Sequence, residues 1–258
     1  MPVPEVVTFH GTRHNAISKR VIFSMGAKGG VGKTGFMSIL ADWFHASTVP
    51  VTLLDLDIEN KAAGSLKHYF PDAVHKISIH TPAGLDAFID YLVTDSSDTP
   101  PIVLADMGAG SGAIALNWFE NMYDEISQLG IAFTAVGIVT PDSSTVDSVL
   151  AWASRLQTRV RYLIVENAIN LQPDFAYWHN TLEAQRFRDT FHPAIISMEF
   201  RLPDLENAAR QLGATLGQVA GRKTSYDQLR KTSFVLRAQA YRRRIFAELE
   251  TVADLLLL

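Results

Sequence analysis

The sequence predicts an α/β fold of three layers around a mostly parallel central sheet, and three observations carry that prediction. Short apolar runs ending in a polar or acidic residue alternate with longer amphipathic stretches along nearly the whole chain, which is the rhythm of strand–helix units. Several runs, such as residues 21–25, 102–106 and 131–140, are almost wholly apolar, as strands covered on both faces tend to be. Between the first strand and the first helix lies Gly26-Ala27-Lys28-Gly29-Gly30-Val31-Gly32-Lys33-Thr34-Gly35, which fits G-x-x-x-x-G-K-[ST], the phosphate-binding loop.

The chemistry needs that spacing. Glycines let the backbone curl so that successive N–H groups point inward at an anion. Lys33 supplies a positive charge for β- and γ-phosphates, and the Thr34 hydroxyl can ligate Mg²⁺. A helix starting at Lys33 aims its positive dipole end at the same place. A chance glycine-rich turn is the competing interpretation, and the strand before the loop and the helix after it argue against that.

Composition bounds the rest. The chain has 258 residues, 47% of them hydrophobic, a net charge of −4 and no cysteine. That length fits one α/β domain, here residues 21–258 after an N-terminal tail of residues 1–20. The mild acidity excludes a global basic field for nucleic acid. Without cysteine there are no disulfides, thiolate metal sites or cysteine nucleophiles. No apolar run reaches the ~18 residues that span a bilayer, and the tail lacks the apolar core of a secretory signal. A soluble cytoplasmic protein is expected.

In the tail, His10 and His14 are four apart, but nothing nearby completes a metal site. The first helix runs from the loop to about residue 46. Residues 50–57 form a strand ending in Asp55-Leu56-Asp57, at the edge where open α/β sheets bind ligands. A short helix is expected over residues 61–69, an edge strand over 74–80 from its period-two alternation, and a helix over 82–93. Residues 94–101 are turn-rich. Residues 102–106 form a strand ending in Asp106, followed by Met107-Gly108-Ala109-Gly110. A carboxylate on a buried strand tip beside the loop is what Mg²⁺ requires, and the glycines let backbone N–H groups approach and leave a γ-phosphate. Helices over 111–130, closed by Gly130, and 146–156, capped by residues 141–145, flank a strand over 131–140. Strands over 161–167, ending in Asn167, and 194–198 complete the sheet. Phe175, Tyr177, Trp178 and Phe187 between them read as core packing. Residues 226–258 are helical and carry a basic cluster.

Lys28 lies inside the loop, so that Lys28-Gly29-Gly30-Val31-Gly32-Lys33-Thr34 resembles the deviant Walker A loop of the ParA/MinD family of dimerising ATPases. The resemblance covers residues 21–167 well and the rest only in rhythm. It implies ATP and Mg²⁺ as cofactors, with Gly29, Gly30, Val31, Gly32, Lys33, Thr34 and Gly35 around the phosphates. Lys28 would reach the partner's nucleotide across a homodimer interface. Asp57 would orient the attacking water, Asp55 would lie near the Mg²⁺ shell, and Asp106 with Thr34 would hold the ion. Gly108, Ala109 and Gly110 resemble the γ-phosphate sensor, and Asn167 the asparagine that meets adenine, an amide being both donor and acceptor. Plainer roles stay open: a solvated loop lysine for Lys28, helix caps for Asp57 and Asp106, and a turn asparagine for Asn167. The chain departs from many relatives at Ile58 and Glu59, at Ala168, and at Gly35, where a hydroxyl residue is common.

The implied function is a Mg²⁺-dependent ATPase. ATP would drive dimerisation, and slow hydrolysis would reverse it, to partition or position cargo such as plasmid DNA or to regulate a conjugal-transfer-type machine through a protein partner. Arg237, Arg242, Arg243 and Arg244 offer non-specific DNA contact. The terminal leucines 255–258 suggest membrane contact, which Glu248, Glu250 and Asp254 oppose. Packing on the body of the protein precedes both. The alternatives are a small-molecule kinase or ATP-dependent ligase on the same scaffold, or a nearly non-hydrolysing ATP-binding regulatory module, since Gly35 weakens the first helical turn.

Overall fold

The computed structural model describes residues 17–56, 64–94, 100–108, 110 and 112–258. Seven strands form one sheet: β1 (Lys19–Met25), β2 (Val51–Asp55), β3 (Val74–Lys76), β4 (Ile102–Asp106), β5 (Ile131–Val139), β6 (Arg161–Asn167) and β7 (Ala194–Met198), in the order β3-β2-β4-β1-β5-β6-β7. Every neighbouring pair is parallel, so the sheet is wholly rather than mostly parallel. All C-terminal tips therefore share one edge. The chain leaves β1 for β2 on one side and leaves β4 for β5 on the other, so the switch in direction falls beside β1.

Side-chain alternation sorts the strands between two helical layers. Ile22, Leu104, Val136 and Leu163 face α1 (Lys33–Ala46), α2 (Leu66–Tyr69), α10 (Thr232–Glu250) and α11 (Ala253–Leu256). Val21, Phe23, Ala105 and Ile164 face α3 (Pro82–Val93), α4 (Gly112–Gln128), α5 (Ser143–Leu156), α6 (Ala176–Asn180) and α7 (Leu182–Phe191). Each fully buried aliphatic or aromatic side chain contributes about 1.5–3 kcal/mol. Two tryptophans sit fully inside with their indole N–H groups satisfied. Trp43 donates to Glu250 at 2.9 Å and Trp178 donates to Glu166 at 3.0 Å. A smaller apolar cluster joins α8 (Pro203–Leu212) and α9 (Leu216–Ala220) to α10 through Leu205, Val219, Leu229 and Ala238.

Several boundaries differ from the sequence reading. β1 begins at Lys19, inside the segment read as tail, because Arg20 is buried: its guanidinium donates to the carbonyl of Leu257 at 2.9 Å and to the Thr134 hydroxyl at 3.2 Å. The period-two stretch at 74–80 is strand only over Val74–Lys76, since β2 offers it just three residues of register. The helix read at 61–69 is described only as Leu66–Tyr69. Of the terminal leucines, Leu255 and Leu256 are buried in the cluster that holds α10, Leu258 is exposed, and Thr134 donates to the Leu255 carbonyl at 3.0 Å. No helix among the described residues is long and apolar enough to cross a membrane.

The basic cluster is also built in. Arg237 pairs with Asp204 at 3.1 Å and Arg244 with Glu199 at 2.6 Å, while Arg242 stacks 4.3 Å over the Phe246 ring. Arg243 stays exposed. The cluster thus ties α10 to α8 and to the segment after β7.

Gly213 closes α8 with φ of 63° and lies against α2, where an added Cβ would come within 2.4 Å of the His68 carbonyl oxygen. Gly213→Ala would combine left-handed strain with a backbone clash that no rotamer relieves. A cost of about 2 kcal/mol is expected, lowering Tm by roughly 4–8 °C in calorimetry. An unchanged Tm would show that α8 can swing away from α2.

Candidate functional site

The glycine-rich loop sits at the tip of β1 in backbone conformations that its glycines make accessible. Gly26, Gly30 and Gly32 have φ of 102°, 74° and 101°, values that other residues reach only with strain. Helix α1 opens at Lys33 with Gly32 as a left-handed cap and without a side-chain cap. Its first N–H groups therefore face the concavity of the loop, as an anion site requires. Lys33 is buried and its ammonium donates to the Lys28 carbonyl at 2.8 Å, folding the lysine into the loop.

Other elements hold the loop in place. The backbone N–H of Ala27 donates to the Ser148 hydroxyl of α5 at 2.8 Å. Asn167, at the tip of β6, is buried and donates from its amide nitrogen to the Val31 carbonyl at 2.9 Å. The amide donor expected to meet an adenine is thus engaged with the loop. Gly32 is needed here for a second reason, since a Cβ there would lie 2.9 Å from that same nitrogen.

Two carboxylates stand beside the loop. The register of β2 on β4 sets Asp55 opposite Asp106, both almost wholly buried. Asp106 accepts from the Ser24 hydroxyl at 2.9 Å and from the Thr34 hydroxyl. Ser24 in turn accepts from the Met107 N–H at 2.8 Å, so one hydroxyl joins β1 to the start of the next loop. Burial is the main cause that pushes the Asp106 carboxyl up to about 6, with Asp55 adding to it while Thr34, Ser24 and Lys33 oppose it. Asp55 accepts from the Lys67 N–H at 3.3 Å and pairs with Lys76 at 3.6 Å.

This oxygen set fits Mg²⁺. The ion is typically held by one or two carboxylates and a hydroxyl, together with phosphate oxygens and water, rather than by a full protein cage. Among the described residues no group of three acidic, histidine or cysteine side chains forms such a cage. The Thr34 hydroxyl lies within hydrogen-bond reach of Asp106, so both could meet one ion.

Lys28 differs from Lys33. Its side chain is 47% exposed on the rim of the loop and pairs with Asp142, the N-cap of α5, at 3.7 Å. Gly29 and Gly30 are exposed in the turn between the two lysines, Val31 is buried beneath it, and Gly35 lies in the first turn of α1. Gly108 is buried beside Asp106 and Gly110 is exposed. Asp57 and Ala109 lie outside the described residues, as do His10 and His14.

A cavity of about 260 Å³ opens beside Gly35, between α1, α8, α9 and α10. Ile39, Leu205, Val219 and Ala240 give it apolar walls, while Tyr69, Arg201 and Tyr241 supply polar groups. Sequence reasoning missed this cavity because its walls come from distant segments. It missed Ser148 for the same reason. Ser24 carried a signal, being a lone hydroxyl near the end of an apolar strand.

The parallel sheet, the loop and the two strand-tip acids define a P-loop nucleoside triphosphatase fold. More particularly, the fold is similar to that of the MinD cell division protein of Aquifex aeolicus, with a TM-score of 0.51 over 89% of this chain and 98% of that one, at 15% identity. The MinC:MinD cell division complex of the same organism superposes with a TM-score of 0.48 (16% identity, 89% and 96% of the two chains). A nucleotide-binding protein in complex with ADP from Archaeoglobus fulgidus gives 0.43 (18% identity, 76% and 86%). No family profile matches the chain, and no curated protein matches it. At such identities the likeness is one of fold, and the chemistry rests on this chain's own residues.

Asp106 makes stability depend on pH. An unfolded aspartate releases its proton near 3.8, whereas the folded one holds it to about 6. Between those values the folded state binds more protons, so stability falls as pH rises through this window and stays lowered above it. Asp106→Asn is therefore expected to stabilise nucleotide-free, metal-free protein at pH 8 by at most about 3 kcal/mol, read as a raised Tm. The advantage should vanish near pH 4. A variant no more stable than the parent at pH 8 would mean that its new amide N–H groups clash with Ser24 and Thr34.

Proposed function

We propose that the chain is a Mg²⁺-dependent ATPase of the ParA/MinD type, in which ATP joins two copies and hydrolysis separates them. The observation that carries this reading is the contrast between the two loop lysines. Lys33 is buried within its own loop, whereas Lys28 projects from the rim, held by one exposed ion pair that exchanges readily. A rim lysine of this kind is placed to serve a nucleotide in a facing copy. Exposed apolar side chains on the loop after Asn167, Ile169 and Leu171 (the latter 81% exposed), lie at the same sheet edge and favour a protein contact there.

In this reading the N–H groups of Gly29 to Gly35 and the Lys33 ammonium bind the phosphates. Asp106 and Thr34 hold Mg²⁺, which would neutralise charge developing on the transferred phosphoryl group. Asp57 orients the attacking water, Asp55 positions the neighbouring groups, and Gly108, Ala109 and Gly110 sense the γ-phosphate. Asn167 braces the loop and turns its carboxamide oxygen to an adenine amino group. The cargo adaptor is a protein that meets the exposed Ile169 and Leu171. The cycle would serve partition, or control of a transfer machine, in the cytoplasm.

Lys33→Ala should abolish ATP binding. Lys28→Ala should keep it, yet lose ATP-dependent dimerisation in sedimentation velocity and lose turnover by at least about 10-fold. A Lys28→Ala protein that dimerises and hydrolyses like the parent would sink the reading. Phosphate release without an added acceptor should separate it from a kinase or ligase.

Arg237→Gln, Arg243→Gln and Arg244→Gln together should leave duplex-DNA binding and its salt slope unchanged. A slope shallower by roughly 3 would instead assign these side chains to phosphate contacts.

A further inference from the structure

We propose that a second anion site lies between the end of α1, the start of β2, α9 and α10, where Lys223 and Arg242 hold the dianionic head of a phosphomonoester. The site is separate from the phosphate loop and does not depend on the nucleotide reading above.

The cavity there holds about 630 Å³, within the size range of small-molecule pockets. Leu53 and Phe70 give it apolar walls, and Asp42 and His45 line it from the second half of α1. A smaller cavity of about 320 Å³ shares Gly217, Lys223 and Arg242 with it and adds Arg243. Asp42 stands about 14 Å along α1 from Lys33, at 1.5 Å per residue, so the phosphate loop is a different place.

Hydrogen bonding decides what the cavity accepts. The uncharged polar side chains of its walls are already used: Thr215 and Gln218 form the capping box of α9, and the Gln239 amide donates to the Ala220 carbonyl at 2.9 Å. The Asp42 carboxylate accepts from the Thr215 hydroxyl at 3.0 Å and from the Gly217 N–H at 2.7 Å. Burial raises that carboxyl, and Arg242 and His45 offset part of the rise from beyond ion-pair distance. The cations are left over. Among the described residues, the side chains of Lys223, Arg242 and Arg243 form no ion pair and donate no hydrogen bond. The Arg242 Nε is buried without a partner, and the guanidinium is stacked 4.3 Å over Phe246. Lysine and arginine offer donors only, so the group that completes this site is a negatively charged acceptor.

The charges narrow the class. Three cations line the two cavities against the single carboxylate of Asp42. The negative end of the α1 dipole removes about half a charge more, leaving a surplus of about one and a half positive charges. A phosphomonoester carries about 1.5–2 negative charges at neutral pH, and its oxygens suit both an ammonium and a guanidinium fork. A polyphosphate exceeds this surplus. The apolar walls, which a bare anion leaves unused, fit an organic body behind the phosphate.

The test titrates phenyl phosphate into the full chain by calorimetry at pH 7.5 and low salt. Lys223→Glu and Arg242→Met, each alone, should weaken binding about tenfold or more, the worth of one charge-assisted hydrogen bond. Lys33→Ala should leave it within twofold. Lys223 is exposed, so Lys223→Glu should keep the parent's Tm, and its lost affinity is then not lost folding. Inorganic phosphate should bind at least about fivefold more weakly than phenyl phosphate, because it leaves the walls untouched. A parent chain that binds no phenyl phosphate at about 10 mM overturns the proposal. So does affinity unchanged in both Lys223→Glu and Arg242→Met. A loss confined to Lys33→Ala also overturns it, by assigning the probe to the phosphate loop. Equal affinity for inorganic phosphate overturns the phosphomonoester as the ligand.

Discussion

Seven strands that run the same way leave all their C-terminal ends on one edge of the sheet, and the site is built from that constraint. The pairing of β1 between β4 and β5 puts the phosphate loop at the centre of that edge. The register of β2 on β4 then sets Asp55 against Asp106. Burial in this dry place, with the charge of Asp55 adding to it, holds the Asp106 carboxyl up. Ser24, Thr34 and Lys33 supply the compensating hydrogen bonds and charge.

The loop is equally dependent on its surroundings. A chain that curls through three positive-φ glycines has little secondary structure of its own. It is fixed by what β6 and α5 present to it, namely Asn167 under Val31, Ser148 under Ala27 and Asp142 beside Lys28. An anion site made of backbone N–H groups works only if those groups stay aligned before the anion arrives. The braces give Asn167 and Ser148 a function in geometry rather than in direct contact with the phosphates.

The segment after β7 covers the α1 face. Helix α10 buries Ile245 and Leu249 on the sheet, and α11 is tied back to β1 and β5 through Arg20 and Thr134. Helices α8 and α9 lean on α1, where Asp42 accepts from the Gly217 N–H at 2.7 Å and from the Thr215 hydroxyl at 3.0 Å. Burial raises the Asp42 carboxyl, so these two donors offset part of its desolvation. The helix read from sequence as carrying a basic cluster thus forms, with α8 and α9, the wall of a cavity next to the phosphate loop.

The sequence by itself determined the α/β rhythm, the loop and the acid at the end of β4. Each is a local pattern: a hydrophobic period, a glycine spacing, a carboxylate closing an apolar run. It also marked Lys28, since an extra lysine inside such a loop is visible without any structure. Tertiary structure alone decided where the basic side chains of α10 point, because ion pairs with Asp204 and Glu199 bridge residues 33 and 45 positions apart. It alone decided that Asn167 braces the loop, since that bond spans 136 positions. The strand at 74–80 was shortened for the same kind of reason: alternation signals a strand, but its length is set by the partner β2 offers. Contacts of long sequence separation follow from which elements pack together, and no local period records them.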